Sequence, residues 1–88
     1  MSFKEVEVKN KLGIHARPAA QFVKVASQFQ CDIRVEKDEE EVDGKSIMGL
    51  MMLAAGFGSK LTITTEGDDE QEALEALAEL INNNFEEN

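Results

Sequence analysis

The spacing of the apolar residues alternates along the chain between every second position and every third or fourth, and this alternation leaves few folds open. In "FKEVEV", Val6 and Val8 stand among charged residues, the period of a half-buried strand over residues 3 to 8. After the break "NKLG", Ala16, Ala19, Phe22, Val23, Ala26 and Phe29 recur every three or four positions, which predicts a helix over 16–28 with one buried stripe. "CDIRVEK" alternates at Cys31, Ile33 and Val35, and "EEEV" follows after a short acidic turn, so two strands joined as a hairpin are expected, with Cys31 a buried strand residue. Ile47, Met48, Leu50, Met51 and Leu53 form a short helical run bounded by Gly44 and by Gly56 and Gly58. "SKLTITTEG" has the β-branched alternation of a strand, with Leu61, Ile63 and Thr65 on one face. Asp69 and Glu72 then have the spacing of a capping pair, and Leu74, Leu77, Ile81 and Phe85 trace a stripe opposite Glu75, Glu79 and Glu86.

The order is therefore β-α-β-β-α-β-α, with neither linker nor repeat, and residues 1–88 are expected to form a single α+β domain of two layers. Three amphipathic helices suffice to cover one face of a four-stranded sheet, leaving the other to water. Periodicity does not fix the strand order, because a ferredoxin-like split motif shares the first six elements. Apolar residues make up 42% of the chain, enough for a packed core rather than disorder. No long apolar window and no charged-then-apolar leader is present, so a cytoplasmic location and no membrane partner are expected. One cysteine and one histidine rule out an internal disulfide and the usual zinc ligand sets, and no metal or cofactor is expected.

A net charge of −9 argues against general nucleic-acid binding, which needs clustered Lys and Arg. The charge is uneven, however. Through residue 34 the basic residues Lys4, Lys9, Lys11, Arg17, Lys24 and Arg34 outnumber Glu5, Glu7 and Asp32, while the rest of the chain is strongly acidic. A basic first third can steer a small anion or an acidic protein patch toward the only histidine, His15.

His15 stands where a helix opens: Gly13 permits a tight entry, and Pro18 costs little within a first turn. A lone histidine there is in itself an ordinary cap or surface residue. It also lies beside first-turn amides that lack intrahelical partners, so the backbone around Ala16, Arg17 and Pro18 is a candidate phosphate-binding element. Arg17 adds a forked, permanently charged donor. A neutral imidazole is a nucleophile that can carry a group through a covalent intermediate. Ser46 precedes the short apolar run and is placed to cap it. Not all of Ile47, Met48, Met51 and Met52 can point inward at helical spacing, so they are expected to divide between core and contact surface.

"GIHARPAAQFVK", "GKSIMGLMML" and "LTITTEGDDEQEALEAL", in this order and over essentially the whole length, resemble the HPr phosphocarriers of the bacterial phosphoenolpyruvate-dependent sugar phosphotransferase system. The resemblance implies an open-faced β-sandwich, a four-stranded antiparallel sheet covered on one face by three helices. It also implies that His15 accepts a phosphoryl group on Nδ1 from phosphorylated enzyme I and passes it to the A domains of sugar permeases, with Arg17 stabilising the transferred charge. Ser46, in a "KSIMG" context, would be the target of an ATP-dependent HPr kinase/phosphatase, with a catabolite-control repressor as a further partner. Ala20 and the outward members of Ile47, Met48, Met51 and Met52 would ring His15 as one docking face on a monomer. The competing expectation is a regulatory adaptor governed by Ser46, with little or no sugar transport; an autonomous turnover enzyme is weakly supported, lacking a metal cluster or a nucleotide-cradling glycine loop. Leu12 and Phe57 depart from the polar residues common in the family at those places, and "AAGFG" replaces a form that more usually starts with glycine.

Overall fold

Each segment with period two becomes a strand, and each with helical period becomes a helix. The computed structural model describes residues 1–86; residues 87 and 88 of the expected domain, and the side chain of Glu86, lie outside the described residues. The elements are β1 (Ser2–Glu7), α1 (Ala16–Ala26), β2 (Asp32–Lys37), β3 (Glu40–Asp43), α2 (Ile47–Met52), β4 (Lys60–Glu66) and α3 (Glu70–Asn82), with a short turn of 3-10 helix at Asn84–Glu86. The sheet runs β1-β4-β2-β3, antiparallel throughout, which settles the strand order that periodicity leaves open. Among the described residues, no helix is long and apolar enough to cross a membrane.

Register explains the core. Val6 lies opposite Leu61, Val35 opposite both Ile63 and Val42, and Ile33 opposite Thr65, so alternate residues of neighbouring strands share the covered face. That face packs under Pro18, Ala19, Phe22 and Ala26 of α1 and under Leu74, Leu77 and Ile81 of α3. Thr65 is fully buried among them, and its hydroxyl donates to the Glu70 carbonyl at 2.9 Å, so the polar group is satisfied. On the open face, Arg34 pairs with Glu41 at 3.0 Å and Phe3 stands in solvent. The β2–β3 hairpin turns through Asp38 (φ 52°) and Glu39 (φ 70°), both left-handed as a two-residue turn of this hand demands.

Several sequence expectations change, beginning with β1, which ends at Glu7 so that Val8 lies just past the strand. Helix α1 stops at Ala26 rather than 28; Ala16 is exposed because the first turn opens on a cleft, and Val23 and Phe29 are half-buried. Cys31 is buried but sits just ahead of β2, because the Asp69 carboxylate takes the amides of Gln30 (2.9 Å) and Cys31 (3.0 Å) out of strand pairing. Asp69 is thereby drawn away from capping: it is the N-cap of α3 but makes no side-chain capping bond, and the Asp69–Glu72 box does not form. Phe85 is buried, yet not on the helix. Helix α3 ends at Asn82, and left-handed backbone at Asn84 and Phe85 swings the ring into the core, where its burial offsets the backbone strain.

Burial pushes the Cys31 thiol up from 9.0 to about 11, and the neighbouring Asp69 carboxylate acts in the same direction. A thiol held protonated at neutral pH is a packing residue rather than a redox centre.

Glu70 ties the start of β1 to the turn after β4. One carboxylate oxygen accepts from the Ser2 hydroxyl at 2.6 Å and pairs with the Met1 amine at 3.0 Å, while the other accepts the Gly67 amide at 3.1 Å. The Ser2 bond foremost, then the Gly67 amide and the Met1 amine, hold its carboxyl down from 4.5 to about 2. The Gln30 amide likewise holds Asp69 low. A carboxylate whose folded value is depressed stabilises the fold above its unfolded value, and that contribution fades as pH falls through the folded one. Stability should therefore drop between about pH 4.5 and about pH 2, and Glu70→Gln should flatten this limb in urea titrations at stepped pH. An unaltered acid limb in the variant would show that these contacts do not persist in solution.

Candidate phosphoryl-transfer site

The site is built on the loop between β1 and α1. Val8 exchanges two backbone bonds with the segment ahead of β4, donating to Ser59 (2.8 Å) and accepting from Gly58 (2.8 Å), and Ile14 donates to Ala55 at 2.8 Å. Gly13 lies between these attachments with φ 72°, where an added Cβ would stand 2.4 Å from the Ala55 carbonyl oxygen. Only glycine fits both the left-handed backbone and the close approach.

His15 follows as the N-cap of α1 with extended backbone (φ −96°, ψ −165°), and its ring makes no capping bond to the helix. Its carbonyl accepts the Ala19 amide at 3.0 Å, closing the first turn. Ahead of that bond the amides of Ala16 and Arg17 have no carbonyl within the helix to meet, and Pro18 has no N–H. The expected backbone cradle of Ala16, Arg17 and Pro18 thus reduces to two donors, with Pro18 contributing buried packing instead.

These residues open on a cleft of about 1260 Å³. It gathers His15, Ala16, Arg17 and Ala20, and adds Lys9, Asn10, Lys11, Leu12, Gln21, Asn84 and Phe85. The basic bias of the first third is thereby concentrated beside the imidazole: three cations line the cleft, and no carboxylate does among the described residues. Lys9 and Lys11 were legible only as charge, in the break after β1. Asn84 and Phe85 arrive by the left-handed turn after α3, and nothing in the local sequence around His15 points to them. Anions favour such a place through the two amides and the helix dipole, by about 0.3–1 kcal/mol and up to about 2 when partly buried.

Ser46 lies outside this cleft, at the N-cap of α2, where its hydroxyl oxygen accepts the Gly49 amide at 3.0 Å as expected. The apolar side chains of α2 do not divide as expected. Leu50, together with Leu53 just past the helix, fills the core, whereas Ile47, Met48, Met51 and Met52 are all exposed, from 41% to 73%. In a six-residue helix one buried stripe takes every fourth or third position, and Leu50 already occupies it. Helix α2 packs on α1, so the two helices share one layer, but none of these four side chains lines the His15 cleft.

The departure at "AAGFG" has a structural cost. Leu53 is the C-cap of α2, and Ala54 behind it takes φ 52°, a conformation about 1–2 kcal/mol unfavourable for an L-residue. Ala54→Gly should raise stability by about 0.5–1 kcal/mol, the relieved strain less the greater chain entropy of glycine, read as a higher urea midpoint at constant slope. A lower midpoint would contradict the left-handed turn.

Comparison with known proteins gives a family match and a fold match. The family described as "PTS HPr component phosphorylation site" matches residues 3–83. The phosphocarrier protein HPr of Pseudomonas aeruginosa is 58% identical over 84 residues, covering 94% of this chain and 93% of the relative. The HPr-like protein Crh of Halalkalibacterium halodurans is 59% identical over 78 residues, covering 89% and 93% respectively. The crystal structure of an HPr from Thermoanaerobacter tengcongensis superimposes with a TM-score of 0.96 at 50% identity, covering 100% of this chain and 99% of that one.

Proposed function

The chain belongs to the HPr family of phosphocarrier proteins, and on that premise we propose that it relays a phosphoryl group through His15, from phosphorylated enzyme I to the A domains of sugar permeases. The observation that supports this most is the cleft in which His15, the Arg17 guanidinium and the two unpaired first-turn amides meet without an opposing carboxylate among the described residues. In the transfer, Nδ1 of neutral His15 attacks phosphorus as the bond from phosphorus to the donor breaks; the second transfer runs the same exchange toward the acceptor. Arg17 and the amides of Ala16 and Arg17 meet the charge on the phosphoryl oxygens. The hold is modest and the site open, which suits a carrier that must give its cargo away.

Docking on this reading uses Ala20 with Ile47, Met48, Met51 and Met52, flexible apolar side chains that adapt to several partners. The protein works as a cytoplasmic monomer, meeting enzyme I and the permease domains in turn. Ser46 is the regulatory position, phosphorylated by an HPr kinase/phosphatase and read by a catabolite-control repressor; the added charge of about −1.5 to −2 at the start of α2 acts on docking before it acts on folding. The Crh relative favours a second reading, in which the Ser46 state governs a regulatory partner and sugar transport is minor.

Intact mass separates the two. Enzyme I with phosphoenolpyruvate should add one acid-labile phosphate, absent in His15→Ala and transferable to a permease A domain. Kinase with ATP should add one acid-stable phosphate, absent in Ser46→Ala. Acid-stable labelling alone would leave only the regulatory reading standing.

A further inference from the structure

Between its attachments at Val8 and Ile14, the loop that leads into α1 carries a buried polar side chain. Asn10 is buried, at 6% exposure, although it lies in a segment flanked by exposed Lys9 and Lys11. Its Nδ2 donates to the Gly13 carbonyl at 2.6 Å, and its main-chain carbonyl accepts the Gly13 amide at 3.1 Å, so side chain and backbone of Asn10 together clasp both polar groups of the glycine. The same Gly13 carbonyl accepts the His15 amide at 3.2 Å. One oxygen thus receives two donors, the Asn10 amide and the residue whose ring opens on the cleft.

The peptide plane that carries the Gly13 carbonyl also carries the Ile14 amide, whose bond to Ala55 at 2.8 Å restrains it from the other side. Glycine itself tolerates a wide range of backbone angles, so hydrogen bonds rather than dihedral preference oppose a flip that would turn this carbonyl away. The Asn10 amide opposes that flip directly. If the carbonyl turned, the His15 amide would lose its acceptor, the extended backbone of the N-cap would relax, and the ring would shift relative to the amides of Ala16 and Arg17. A displacement of about 1 Å in a reacting group can slow a transfer by up to about 100-fold.

We propose that Asn10 is a positioning residue for phosphoryl transfer, acting through the Gly13 carbonyl to hold His15 in register with the first-turn amides of α1. This rests on the phosphoryl-relay reading. It assigns a role to a residue at the wall of the cleft, and it commits to the donor character of the Asn10 amide rather than to its size.

The test uses Asn10→Asp, which keeps the shape and replaces the donor by an acceptor facing the Gly13 oxygen, with Asn10→Ala and Asn10→Gln beside it. Steady-state transfer from phosphorylated enzyme I should show kcat down about tenfold for Asn10→Asp and Asn10→Ala with KM little changed, because the docking face is untouched. Asn10→Gln, which retains a donor, should recover part of the loss. Hydrolysis of the isolated phosphohistidine should also change in the two variants without the donor. Urea unfolding, run in parallel, separates loss of stability from loss of position. Wild-type kcat in Asn10→Asp, whatever its stability, would overturn the proposal, as would a loss confined to KM. Failure of the wild-type chain to take label at His15 would instead overturn the relay reading beneath it.

Discussion

Gly13→Ala is expected to destabilise the fold by about 2–5 kcal/mol and to impair transfer through His15 in the fraction that remains folded. The magnitude is the sum of two separate costs. The backbone at Gly13 has φ 72°, and an L-residue held in the left-handed region costs about 1–2 kcal/mol. The new methyl carbon would also stand 2.4 Å from the Ala55 carbonyl oxygen and 2.6 Å from the Gly56 Cα. Both are backbone atoms with no rotamer to yield, so the strands of the loop must separate, an overpacking cost of about 1–3 kcal/mol. Separation strains the Ile14 to Ala55 bond, which anchors the residue before His15. Gly56→Ala is the control, since a Cβ there meets nothing within 4 Å, and it should behave as wild type. Urea unfolding of both variants makes the comparison. If Gly13→Ala lay within about 0.5 kcal/mol of wild type, the close approach of these two loops would be wrong.

The same pair of loops shows how far a sequence can be read. Period-two spacing identified Ile33, Val35, Leu61, Ile63 and Thr65 as the covered face because a strand's side-chain direction is set by its own backbone. His15, Pro18 and Ser46 were legible for the same reason: a helix start is chosen by adjacent residues. Asp69 was misread because its spacing to Glu72 satisfied a local rule while its carboxylate found better donors on Gln30 and Cys31, far away in the chain. Helical spacing points Phe85 to the core, but the left-handed turn after α3 is what buries it. The run of asparagines before it carried a usable signal, since asparagine is the residue after glycine that best tolerates left-handed backbone. The basic cleft was half visible: Arg17 lies next to His15 in sequence, but the contributions of Lys9, Asn84 and Phe85 depend on how β1 and the end of α3 are brought together. Asn10 gives no sign in the sequence, because a side chain that holds a nearby backbone carbonyl leaves no periodicity and no motif.

Arg17→Ala should slow phosphoryl transfer to and from His15 by about 100-fold while leaving the urea midpoint within error of wild type. The stability half follows from exposure: Arg17 is solvent-facing on the first turn of α1, and the turn is closed by Ala19 bonding the His15 carbonyl, not by the guanidinium. The rate half follows from charge. A phosphoryl group in flight spreads negative charge over its oxygens, and the two amides of Ala16 and Arg17 carry only partial charges. The guanidinium is the full, forked cation nearest them in sequence, and removing one such preorganised donor typically costs about 10²–10³ in rate. Lys9 and Lys11 line the same cleft and keep its potential positive, so the loss should fall at the low end of that range. Arg17→Lys restores the charge but not the fork, and should regain only part of the rate. Salt distinguishes the two contributions, because the diffuse field of the lysines is screened over about 8–10 Å whereas a direct contact to the phosphoryl oxygens is not. The Arg17→Ala rate should therefore fall more steeply with ionic strength than the wild-type rate. Equal rates for wild type and Arg17→Ala at low salt would remove Arg17 from the chemistry and leave the amides and lysines as the whole of the anion site.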